Sequence, residues 1–70
     1  MGLATKVKML ITARNMTITA LAEKLGTSNQ NLAGKLKRDN FTEKDLHKIA
    51  EACNAKFEGI FTLNDTGKEI

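Results

Sequence analysis

The residues best suited to chemistry are four consecutive polar side chains, Ser28-Asn29-Gln30-Asn31, followed by the cations Lys35, Lys37 and Arg38 and by Asn40. Each Asn or Gln amide can donate and accept a hydrogen bond at once, and the cations behind them suit a partner carrying anionic groups. An ordinary polar helix face and a basic helix end that complements the macrodipole are the plainer readings of the same residues. Elsewhere the reactive types do not assemble. His47 has no second catalytic group spaced to meet it, and Glu43, Asp45 and Glu51 read as surface acids of a helix. Cys53, Met9 and Met16 read as packing residues in or near the core. With Cys53 and His47 as the only soft ligands, a four-ligand structural zinc site is not expected, and neither is a cofactor.

The chain has 70 residues, 41% of them hydrophobic and 27% charged, enough for one domain with one core and short of the walls of a deep pocket. Enzymatic activity is not expected. Charge is distributed unevenly. Residues 1–41 carry seven Lys/Arg against two acids, a net of +5, whereas residues 42–70 carry four against six, a net of −2. A polyanion should therefore meet the first part. One cysteine cannot form an internal disulfide, and neither a leader-like segment nor a long apolar run is present, so the expected setting is a reducing cytoplasm. Met1-Gly2 superficially resembles a lipidation start, but Lys6 stands where that pattern requires Ser or Thr.

Positioning of the polar run depends on short helices. Leu3, Val7, Leu10 and Ile11 form one stripe of a first helix reaching about Arg14. Thr17 should cap a second, Ile18 to Leu25, with Ile18, Leu21, Ala22 and Leu25 inward. Gly26 ends it, and Ser28 caps a third that fades near Lys37 and is held by Leu32 and Leu36. Thr42 caps a fourth, with Leu46, Ile49, Ala50 and Cys53 inward and Phe41 stapled before the cap. Ala22 and Gly26, four apart, with Leu32 six further on, have helix-turn-helix spacing. Ala22 is small where the third helix crosses, Gly26 permits the sharp turn, and Leu32 pins the third helix.

Beyond Asn54 the period becomes two: Phe57, Gly59, Phe61 and Leu63 alternate with Glu58, Ile60 and Thr62, predicting a strand over about 56–63. Asn64-Asp65-Thr66-Gly67 reads as a turn with a glycine bulge returning residues 68–70 as a short partner. Three residues cannot cover the longer strand, and its open edge suggests a homodimer, with Phe57, Gly59, Ile60, Phe61 and Leu63 at the interface.

On the run Leu21 to Ser28, on Leu32, and on Phe41-Thr42 leading to Leu46 and Ile49-Ala50, residues about 5–53 resemble the lambda-repressor-like family, the Cro/C1 or Xre-type bacterial and phage regulators. The resemblance implies a single mostly α domain over 1–70, four short helices with a C-terminal strand or hairpin (about 56–63 and 68–70), and a helix-turn-helix at about 18–37. It implies a cytoplasmic, bacterial-type transcriptional regulator, a repressor, binding duplex DNA at a near-palindromic operator. The third helix would lie in the major groove, with Ser28, Asn29, Gln30 and Asn31 at base edges and Gly34, on the side of Asn29 and Gln30, allowing close approach. Thr17, Thr19, Lys35, Lys37, Arg38 and Asn40 would meet phosphates. Three features depart from the family: Ile18 stands where a phosphate-binding polar residue such as glutamine is common, Lys35-Leu36 replaces an apolar-glutamate pair, and Phe57 to Leu63 reads as extended where many relatives have a fifth helix. A different class, a protein-interaction module of antirepressor or antitoxin type on the same scaffold, is the alternative. RNA is disfavoured, because the three Phe residues are committed to core and strand, leaving no platform for unstacked bases.

Overall fold

The computed structural model describes residues 2–70; Met1, and with it the lipidation reading, lies outside them. Among the described residues the chain forms α1 (Leu3–Ala13), α2 (Ile18–Leu25), α3 (Asn29–Arg38), α4 (Glu43–Ala52), β1 (Ala55–Phe57) and β2 (Phe61–Leu63). The fold is mostly α with a small C-terminal hairpin, as expected.

Local chemistry sets the boundaries. Thr17, Ser28 and Thr42 are extended at their caps, and each hydroxyl accepts from the amide three residues on, Ala20 at 3.0 Å, Asn31 at 3.0 Å and Asp45 at 3.1 Å. Asp45 completes a capping box on α4 by accepting from the Thr42 amide. Gly26 ends α2 in the left-handed conformation, φ +71°, and the Thr27 amide donates back to the Ala22 carbonyl at 3.0 Å, closing the helix end.

α1 has no cap of its own. Its preceding residue is Gly2, and the missing acceptor comes from the far end of α3, where Asp39 Oδ1 accepts from the Ala4 amide at 2.8 Å. Asp39 itself is left-handed, φ +53°, and ends α3. A Cβ at Gly2 would collide with the Asp39 carboxylate, so glycine permits this close approach. One residue thereby terminates the third helix and starts the first.

Val7, Leu10, Leu21, Leu32, Ile49 and Phe61 form the fully enclosed centre, joined by Ala22, Leu36, Leu46, Ala50, Cys53, Ala55 and Leu63. Ile18, Leu25, Phe41 and Met16 pack half-buried against it. Met9 does not: it is 52% exposed, because it follows Thr5 by four residues on the outer face of α1, away from the Val7-Leu10-Ile11 stripe.

The segment expected as one strand over about 56–63 folds back on itself. Ala55, Lys56 and Phe57 pair antiparallel with Leu63, Thr62 and Phe61, and the chain reverses over 58–60 with Gly59 at φ +82°. Residues 68–70 then return along the other side of β2, as expected: the Leu63 amide donates to Lys68 at 2.9 Å, and Ile70 and Phe61 exchange bonds. Gly67, at φ +75°, makes that second turn. β2 is thus paired on both sides, and among the described residues the open edge belongs to β1. The Asn54/Asn64 and Glu58/Ile60 bonds fix the alternation of the ladder, so the amides and carbonyls of Ala55 and Phe57 point away from β2.

Candidate nucleic-acid interface

α3 is anchored by Leu32 and Leu36, both buried against the other helices. Successive positions four apart on a helix step round by roughly 40°, which sets Gln30, Gly34 and Arg38 in a row whose middle member lies opposite the two leucines. Lys37 and Asn31 flank the row. Gln30, Asn31, Lys37 and Arg38 are all exposed, and among the described residues the side chains of Gln30, Lys37 and Arg38 make no hydrogen bond or ion pair within the chain. Asn31 donates to the Thr27 hydroxyl at 3.3 Å, which orients its amide across the helix start.

Asn29 was expected on the same side as Gly34. Five helical positions separate them, so its side chain points roughly 140° away, and it is exposed at the first turn. Ser28 is exposed and spends an oxygen lone pair on the cap, leaving its hydroxyl hydrogen to donate outward. Thr17 is occupied in the same way, whereas Thr19, the second residue of α2, is exposed and its side chain is unbonded among the described residues. Asn40 is exposed beyond α3, with its backbone amide tied to the Lys35 carbonyl at 3.1 Å.

Lys35 differs from the other cations of α3. Its Nζ lies 2.8 Å from Asp45 Oδ2 and joins α3 to the first turn of α4. The bond from Lys35, with the Thr42 amide, holds the Asp45 carboxyl below the usual carboxylate range. A phosphate would therefore compete with Asp45 for this lysine, while Lys37 and Arg38 have no such competitor among the described residues.

Away from this face, Cys53 and His47 make contacts within the chain. Cys53 is buried, its thiol donates to Met16 Sδ at 3.8 Å, and burial pushes its pKa up, the opposite of what a nucleophile needs. His47 is exposed, 3.6 Å from Glu43 and edge-on to the Phe57 ring. Phe61 and Leu63, expected at a dimer interface, have their side chains enclosed in the chain's own core, while Phe57 and Ile60 are half-buried and Gly59 is exposed. Among the described residues no group of three His, Cys, Asp or Glu side chains could hold a metal ion, and no helix is long and apolar enough to cross a membrane.

Two contributors were not anticipated from sequence. Asp39 joins α3 to α1, and the signal available for it was only that Asp tolerates the left-handed conformation at a helix end. Arg14 fastens the C-terminal region: its guanidinium donates to the Cys53 and Asn54 carbonyls at 2.8 Å each and to both oxygens of Asp65 at 2.9 and 2.8 Å. Nothing near Arg14 in the sequence marks that role.

A helix held outward by its apolar back, reached through a tight glycine turn and carrying unpaired amide and cationic side chains, defines a helix-turn-helix nucleic-acid-binding domain. A sequence model described as the Cro/C1-type HTH DNA-binding domain matches residues 6–66. The chain belongs to this family and is a DNA-binding regulator. Comparison with curated proteins and with solved structures found no match.

Proposed function

We propose that this chain binds duplex DNA sequence-specifically as a transcriptional repressor, with the outward face of α3 in the major groove. The observation that carries the reading is the face itself: Gln30, Lys37 and Arg38 are exposed and unbonded within the described chain, on a helix fixed from behind by Leu32 and Leu36. Gln30, together with Asn31 and Ser28 at the helix start, meets base edges, and Asn29, exposed in the first turn but turned from the Gly34 side, reaches them from the N-terminal end of the helix. A Gln or Asn amide matches the N7 acceptor and N6 donor of adenine, a pairing worth about 1–3 kcal/mol of discrimination. Lys37, Thr19 and Asn40 hold phosphates, with Thr17 and Lys35 joining once the cap and the Asp45 pair yield.

A homodimer through the hairpin completes the reading. The outward amides and carbonyls of Ala55 and Phe57 on β1 can pair with the same strand of a second copy about a two-fold axis. The matching operator is near-palindromic, with half-sites about 34–36 Å apart.

Selection of bound sequences from random duplexes, followed by binding assays on the Asn29→Ala, Gln30→Ala double variant, tests the proposal. The wild type should enrich a near-palindromic site and the variant should lose preference at defined positions. Retention of the full preference by the variant would remove these amides as readers.

A further inference from the structure

The family resemblance puts Arg38 among the phosphate contacts, together with Lys35 and Lys37 at the basic end of α3. The geometry gives it a different position. Gln30, Gly34 and Arg38 occupy one row, and the row lies opposite the buried Leu32 and Leu36. Gly34 has no side chain, and the Arg38 guanidinium lies back over the space this leaves. A Cβ built on Gly34 would sit 3.2 Å from Nη1 and 3.2 Å from Nη2. The guanidinium therefore rests on the middle of the outward face, pointing along the row toward Gln30, and does not extend past the end of the helix.

Nothing else claims it. Among the described residues Arg38 makes no ion pair or hydrogen bond. The acid beside it in sequence, Asp39, is turned to the Ala4 amide. Gly34 is helical, so its lack of a side chain is not required by backbone conformation, and a glycine inside a helix carries a conformational cost relative to alanine. Its use is the room it leaves.

We propose that Arg38 is a base-reading residue, its guanidinium lying over Gly34 so that two of its N–H groups meet O6 and N7 of a guanine in the major groove. This rests on the reading of the chain as a sequence-specific duplex binder and adds a G·C pair to each half-site, neighbouring the pair read by Gln30. Arginine suits the task because its planar fork presents two parallel donors, which the point charge of lysine cannot. Gly34 acts as a positioning residue that keeps the guanidinium low on the helix.

The test compares wild type, Arg38→Lys and Gly34→Ala by selection from random duplexes, with affinities measured across a salt series and thermal melts as the folding control. Arg38→Lys keeps the charge and removes the fork. It should lose discrimination at one G·C position by about 5- to 150-fold while the other positions and the salt slope hold. Gly34→Ala should melt higher, through better helix propensity, and still lose discrimination at that same position, because its methyl displaces the guanidinium. A stability gain beside a specificity loss is a pair of signs that damage to the fold does not produce. If Arg38→Lys and Gly34→Ala both select the wild-type site with wild-type preference, Arg38 meets only the backbone and the proposal fails, leaving the sequence-specific reading intact. If the wild type itself selects no site, that broader reading fails and this one with it.

Discussion

Arg14 and Arg38 carry the same guanidinium to opposite kinds of place. Arg14 donates four bonds inside the chain, to two carbonyls where α4 ends and to both oxygens of Asp65 in the last turn. Arg38 donates none among the described residues and lies over a glycine on an open helix face. Helix ends leave carbonyls without partners, and the end of α4 supplies one at Cys53 to a nearby donor, whereas the outward side of a helix offers only side chains and solvent. The same contrast extends to the neighbours: Asn54 pairs with Asn64 at 3.1 Å in the C-terminal region, while Gln30 on α3 is unbonded among the described residues. Polar groups consumed by the fold mark its fastenings, and polar groups left over on a rigid support mark its working face.

The contrast breaks most severely in the core of the hairpin. Phe61 is fully enclosed where β2 meets the helices, and Phe61→Ala should cost about 3–5 kcal/mol, a large part of the stability of so small a domain. Urea unfolding monitored by circular dichroism measures it. Gln30→Ala, in the same assay, should fall within about 0.5 kcal/mol of wild type. Equal losses at the two positions would mean that the outward face of α3 is also part of what holds the domain together.

The helices were legible in the sequence because each boundary carries its own local chemistry. Thr17, Ser28 and Thr42 cap where a hydroxyl precedes an apolar stripe, and Gly26 supplies the turn that places Leu32. The outward face of α3 followed, since Leu32 and Leu36 are buried and determine which side of the helix is exposed. The break in the strand was not legible. Phe57, Gly59, Phe61 and Leu63 keep the two-residue period through the reversal, and a chain that doubles back symmetrically about Gly59 leaves that period unchanged. Register with residues 68–70 could be anticipated because a glycine bulge makes a short-range turn. Arg14 with Asp65 and Asp39 with Ala4 join residues 51 and 35 positions apart, and no local pattern encodes such a pairing.

A smaller effect is expected where the two regions share a residue. Asp39 ends α3 and caps α1, so Asp39→Ala removes a carboxylate acceptor from the Ala4 amide and a side chain tolerant of positive φ. The loss should be about 1 kcal/mol, within the range for removing a helix cap. Asp39→Asn keeps an acceptor oxygen and the tolerance of the left-handed conformation, and its thermal melt should lie much closer to wild type. If the two variants melt together well below wild type, the negative charge matters more than the bond to Ala4.

Acid should separate the regions more gently, through the carboxylates that the fold has already engaged. The hydrogen bonds from Arg14 hold the Asp65 carboxyl below its ordinary range, and those from Lys35 and from Thr42 do the same for Asp45. A carboxyl whose folded pKa is depressed takes up protons more readily when unfolded. Its contribution is therefore present above the unfolded value, about 3.9, and is lost as pH falls through the lower folded one. Both groups are near solvent, so the effect is screened and modest. Thermal melts from about pH 6 down to about pH 3 should show the wild type losing Tm faster on acidification than Asp65→Asn, whose side chain has no such proton to take up. The residual slope in Asp65→Asn reports the remaining carboxyls, including Asp45, and should fall again when Asp45→Asn is added. Parallel curves for wild type and Asp65→Asn would show that the Arg14 fastening works through its two backbone carbonyls alone. The guanidinium of Arg14 would then be held by the end of α4, with Asp65 a bystander in the last turn.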